Sequence, residues 1–217
     1  MVRRDLKTGD IEFDQRLHAL VSTGALDEAA TQFLERHGTA IFAFLADRLR
    51  SPRDAEEVFA QFTEDFWRGL PRFGMRASMR SWAFTLARNA AFRHQRSPQR
   101  RPGYNQPLPE DSRLGPAGAG SRSQTPAYQR TTFKQQLREL RRRLPEADQT
   151  LLVLRLDQGL SWFELADVLS PEDAPYFPEV RNRRAAQLRQ RFRRIKDRLR
   201  SWAERDGILP QPDSTRH

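Results

Sequence analysis

An all-α chain is predicted, as two small helical domains joined by a flexible linker, the second with a helix-turn-helix. Three observations predict it. Apolar residues recur three and four apart through most of residues 10–96 and again through 128–207, the spacing that keeps side chains on one helix face. Residues 97–127 between them are rich in Pro, Gly, Ser, Gln and Arg, and such a stretch cannot bury a core. No strand-like alternation and no internal repeat stand out anywhere in the chain.

In the first part, Phe33, His37, Ile41, Phe44, Leu45 and Leu49 share a face. Ser51-Pro52-Arg53-Asp54 then starts a new helix, with a capping hydroxyl followed by a proline that fits the first turn. That helix carries Val58, Phe59, Phe62, Phe66 and Trp67 and ends before Pro71. After a loop over 72–77, a third helix begins near Ser78 and carries Trp82, Leu86, Ala90 and Phe92. Aromatic and leucine side chains at this spacing usually pack inward.

The last part begins with Phe133, Leu137, Leu140 and Leu144 on one face. Leu151, Leu152, Leu154 and Leu156 follow Pro145, and Gly159 closes their helix. Ser161 to Glu164 has the reciprocal pattern of a capping box, opening a short helix with Leu165, Val168 and Leu169 inward. Beyond Pro171, Pro175 and Pro178, residues Leu188, Phe192, Ile195, Leu199 and Trp202 form a further apolar stripe. The opposite side carries Arg183, Arg184, Arg189, Arg191, Arg193, Arg194, Lys196, Arg198 and Arg200, a surface suited to a polyanion. Two helices so joined suggest helix-turn-helix DNA binding. The tail from Ile208 to His217 is expected to fray.

Composition narrows the function classes. A chain of 217 residues with net charge +10 and a pI near 11.0 favours nucleic acid as partner, because each neutralised phosphate releases condensed counterions. There are no cysteines, which excludes disulfides and thiolate metal sites. No apolar run could span a bilayer, and the start MVRRDLKTGD lacks a signal-peptide core, so a cytoplasmic location without membrane association is expected. His18, His37, His94 and His217 are dispersed, and no glycine loop could cradle a phosphate. Neither an enzyme, a cofactor, a metal nor a small-molecule substrate is expected.

Several segments together resemble a bacterial RNA polymerase sigma factor of the extracytoplasmic-function type, in the sigma-70 family. DAEEVFAQFTEDFW (54–67) looks like the family's helix that docks on the core polymerase clamp. RFGMRASMRSWAFTLARNAAFRHQR (72–96) looks like its segment that opens and reads the minus-ten element. LPEADQTLLVLRLDQGLSWFELADVL (144–169) is similar to the region-four signature that precedes the recognition helix. The resemblance implies core RNA polymerase and promoter DNA as partners, and often an anti-sigma factor.

Carried onto matching positions, it implies core docking through Glu56, Glu57, Gln61, Phe59 and Phe62. It implies minus-ten contacts from Phe73, Arg76 and Ser78 around Gly74, and from Arg80, Arg88, Asn89 and Arg93 on the following helix. Two departures stand out. Ala60-Gln61 replaces the family's usual glutamine and acid, and residues 170–187 are much longer than the family's short turn. Either Ser170 to Asp173 begins a small extra turn, or the recognition helix is extended from Pro178. The family match nominates Arg189, Gln190, Arg191, Arg193 and Arg194 for the minus-thirty-five element; helix-start geometry nominates Arg181, Arg183 and Arg184. Two rivals remain at this stage: a basic helical module that dimerises through the Leu188-to-Trp202 seam, and a DNA-binding regulator on a sigma scaffold that no longer docks on polymerase.

Overall fold

Eight α-helices make up nearly all of the described part of the chain, a computed structural model that describes residues 8–97, 127–170 and 177–209. Most of the expected linker, Pro171 to Tyr176 of the long turn, and most of the tail lie outside the described residues.

The first unit holds α1 (Thr8–Ser22), α2 (Leu26–Leu49), α3 (Pro52–Gly69) and α4 (Met79–Arg96). The α2 stripe packs as its spacing requires: Phe33, Ile41, Phe44, Leu45 and Leu49 are buried against α3 and α4. An aromatic spine runs through this core. Phe33 stacks on Phe66 with centroids 4.6 Å apart, Phe66 meets Trp82 at 5.1 Å, and Trp82 stacks on Phe73 at 4.9 Å. Ser51 caps α3 by accepting from the Asp54 amide at 3.3 Å, with Pro52 in the first turn. A 3-10 turn, Leu70–Arg72, follows Gly69. Gly69 is there for space: a Cβ would lie 2.7 Å from Trp82 Cζ2. Ser78 caps α4 by accepting from the Ser81 amide at 3.1 Å, and α1 is tied to that end by Asp14, which accepts from the Met79 amide at 2.8 Å.

The second unit holds α5 (Ala127–Arg142), α6 (Glu146–Leu152), α7 (Trp162–Val168) and α8 (Pro178–Arg205). Leu140 and Leu144 of the expected α5 face are buried, but Leu137 is exposed; the Phe133 side chain lies outside the described set. After α6 the backbone widens into a π-helical turn, Val153–Asp157. Of the apolar set expected after Pro145, Leu151, Leu152 and Leu154 are buried, whereas Leu156, within this looser turn, is 53% exposed. Gly159 follows with φ +66°, the left-handed conformation that glycine adopts without strain. The Ser161–Glu164 capping box is complete in both directions. α8 begins at Pro178, as the extended-helix arrangement expects, whereas the alternative turn beginning at Ser170 to Asp173 lies mostly outside the described residues. Its stripe of Leu188, Phe192, Ile195, Leu199 and Trp202 packs inward, with α8 resting on α5, α6 and α7.

The two units touch. α4 lies along α7, and their apolar interiors form one continuous cluster. A second fastening joins the end of α2 to α6. There the nearly buried Arg48 donates to Thr150 Oγ1 at 3.0 Å and pairs with Glu146 at 2.7 Å.

Candidate nucleic-acid interface

Three surfaces carry the side chains nominated by the sequence. On α3, Glu56, Glu57 and Gln61 are exposed and point away from the core, with Gln61 donating to Asp65 at 3.0 Å. Phe59 is half-buried, edge-on to Phe42. Phe62 is placed differently from its expected docking role: it is fully buried, between Phe59 and Phe66. The helix turns it inward because it lies one turn from Val58 and Phe66 on the core stripe.

The loop before α4 is anchored at one end and open in the middle. Phe73 lies under Trp82 and is only 9% exposed, so it supports the loop as core and does not form its rim. Gly74, Met75 and Arg76 are exposed, and Met75 adopts φ +53°. Ser78 is engaged as the α4 cap. Along α4 the nominated side chains diverge. Arg93 is exposed and pairs with Asp65 of α3. Asn89 is half-buried and accepts from Arg88 at 3.4 Å. Arg80 and Arg88 face the second unit instead of solvent. Arg80 donates to the Gln158 carbonyl, lies 3.9 Å from the Glu164 carboxylate, and sits over the Phe84 ring. Arg88 donates to the Ser170 carbonyl at 3.3 Å. Ser78 also lies 3.5 Å from Glu164.

α8 divides its cations between structure and surface. Arg181 grips Asp167 with two donors, at 2.8 and 2.6 Å, and Arg184 donates to Ser170 Oγ at 2.7 Å. Arg191 turns back to Asp148 of α6 at 2.6 Å. Arg183, Arg189, Gln190, Arg193 and Arg194 are exposed, with Arg189 grazing the Trp162 ring. Burial raises the Asp167 carboxyl to about 6 even though the Arg181 guanidinium pulls it down. In the first unit, burial and then the nearby Arg80 and Arg36 charges lower His37 to about 4, so it is neutral between Phe13 and Phe33.

The sequence does not reveal Glu164 as the group opposite Arg80, since the two lie in different units and the capping pattern already accounts for Glu164. Asn182 and Gln187 were also not nominated, although their spacing from Arg183 and Gln190 sets them on the same exposed side of α8. Among the described residues no three His, Asp or Glu side chains gather in a way that could hold a metal, and no helix is long and apolar enough to cross a membrane.

Residues 33–101 match the sigma-70 region 2 family, a stretch that runs from within α2 through α3 and α4. The chain carries a sigma-70 region 2. Proteins of this kind are non-enzymatic factors of transcription initiation. No curated protein matches the chain in sequence. On this frame α3 and α4 are region 2 helices, while the second unit lies outside the matched residues.

Proposed function

We infer that the protein is a sigma factor of the extracytoplasmic-function type, directing core RNA polymerase to particular promoters and helping to open them. The observation that carries this is the sigma-70 region 2 match laid over the α2–α4 helices. The exposed outer face of α3, with Glu56, Glu57 and Gln61 beside the edge of Phe59, is the surface for polymerase. The open Gly74–Arg76 loop and the α4 side chains Arg80, Arg88, Asn89 and Arg93 are the surface for the minus-ten strand. Extruding a base costs a few kcal/mol, and stacking, pocket contacts and charge neutralisation offset it without nucleotide hydrolysis. α7 and α8 act as a helix-turn-helix on upstream duplex, anchored by the exposed arginines of α8.

Arg80 and Arg88 cannot bind both α7 with the residues flanking it and a DNA strand at once. The arrangement described is therefore a closed one, and engagement of the minus-ten strand by α4 requires α7 to move away. Core polymerase supplies the alternative contacts that favour the open form.

The test is reconstitution. Purified protein is added to core polymerase with a library of promoter fragments, and transcripts are sequenced from their starts. Transcripts that depend on the protein and share an upstream pattern are expected. DNA binding with no association to polymerase would instead favour a regulator that has lost docking.

A further inference from the structure

The extension of α8 moves its exposed surface relative to its own start. Successive residues turn by about 100° around a helix, so Glu179, Arg183, Ala186, Gln190 and Asp197 form the ridge opposite the buried Leu188–Phe192–Leu199 stripe. All five are exposed. Asn182 and Gln187 flank this ridge, also exposed. Helices of this kind ordinarily read bases with their first residues. Here the first turn carries Pro178 and Glu179, and an exposed acid repels phosphate. The inner side of the following turn is committed to α7 through Arg181–Asp167 and Arg184–Ser170. Asp197 closes the other end of the ridge with a second acid. Between the two acids the outward side chains are cationic, amide or small.

We propose that the second unit reads upstream duplex through Arg183, Ala186, Gln187 and Gln190, one to two turns into α8, while the Arg181–Asp167 clamp holds that part of the helix at its working angle. This rests on the reading of the second unit as a duplex anchor and deepens it by naming the base-contacting residues. The residue types fit major-groove edges. An amide bonds bidentately to adenine, a guanidinium to guanine, and a small apolar side chain contacts the thymine methyl. Arg183 to Gln190 spans about 10 Å of helix axis at 1.5 Å per residue, so the window covers roughly three base-pair steps. Arg189, Arg193 and Arg194, exposed at its borders, contact phosphates. α8 packs on helices of its own unit, so this window is open even while α4 and α7 are closed together.

The experiment selects promoter fragments from a library randomised upstream, using full-length protein assembled with core polymerase. Gln187→Ala and Gln190→Ala are each expected to lose about tenfold of the preference at one A·T position and leave the other positions unchanged. Arg193→Ala is expected to weaken every sequence evenly and to reduce the salt slope by about one. All three residues are exposed, and circular dichroism confirms that the variants fold. If both glutamine variants select the wild-type element unaltered, or if Glu179→Ala changes the selected bases, the window is misplaced. If the wild-type protein binds polymerase yet selects no upstream element, the duplex-anchor reading fails and the window with it.

Discussion

Replacing Glu164 with glutamine probes the closed arrangement most cleanly. Glu164 does three things: its Oε2 accepts from the Ser161 amide at 2.8 Å, its Oε1 accepts from the Ser78 hydroxyl at 3.5 Å, and its charge faces Arg80 at 3.9 Å. Glutamine serves in a capping box as well as glutamate does, so Glu164→Gln keeps the cap and removes the charge. Both side chains at this contact are largely shielded, 18% and 3% exposed, so solvent screens the pair less than a surface one. Two unit charges at this separation attract by about 4 kcal/mol at the effective dielectric of ~20 typical near a protein surface. Most of this is offset by desolvation of the pair, and Arg80 keeps the Gln158 carbonyl and the Phe84 ring. A net loss of about 1.5 kcal/mol from the closed form remains, close to that of one charge-assisted hydrogen bond. That shift multiplies the open fraction by about ten, and apparent affinity for a ligand of the open form rises by the same factor while the closed form predominates. The assay is fluorescence anisotropy with a labelled single-stranded minus-ten oligonucleotide at fixed salt. Binding about tenfold tighter than wild type is expected, with helicity unchanged. Equal or weaker binding by a folded Glu164→Gln protein would refute the idea that α7 covers the strand-binding side of α4.

Other perturbations test separate parts of the account. Ser161→Ala removes the α7 cap without touching Arg80, and is expected to lower unfolding free energy by about 1 kcal/mol in urea titrations. Gly69→Ala would place a methyl against Trp82, and is expected to cost about 1–2 kcal/mol after allowing for alanine's better helix propensity, with a changed Trp fluorescence spectrum. His37 is held near 4, below its ordinary 6.5, so its contribution to stability is present above pH 6.5 and is lost as the pH falls toward 4. The gap corresponds to ~3 kcal/mol, and His37→Leu is expected to remove about that much of the acid-side loss between pH 7.5 and 4. Asp167 runs the other way: its carboxyl, raised from 3.8 to about 6, favours the folded state below pH 3.8 and loses that contribution as the pH rises through 6. Asp167→Asn is expected to flatten that slope in denaturation curves measured across the interval.

The helix faces are legible because burial and spacing act locally. Ile41, Phe44 and Leu49 go where a period near four residues sends them, and Ser51, Ser78 and Ser161 announce helix starts through short-range hydrogen bonds. Phe62 and Phe73 show the limit. An aromatic on a helix or loop of a binding domain can serve contact or core, and packing against Phe66 and Trp82 decides for core. The π-helical turn at Val153–Asp157, which holds the exposed Leu156, is equally unreadable, because one looser turn leaves no mark in composition. Charge runs hide the most. Nine cations of α8 look equivalent in a string, yet Arg184 and Arg191 are held by partners on α7 and α6, as is Arg181 before them. Only the fold separates fastening arginines from exposed ones. Contacts between the units, such as Arg80 with Gln158 and Arg48 with Glu146, join residues far apart in sequence and carry no local signal.

Permanganate probing of promoter DNA tests the central claim most directly, because it reports unpaired thymines and nothing about the model of how they arise. With core polymerase and this protein together, new reactivity is expected at thymines in and just downstream of the minus-ten element, and it should fall with Arg76→Ala. Duplex that stays unreactive with both proteins present, or that reacts equally with polymerase alone, would contradict the account.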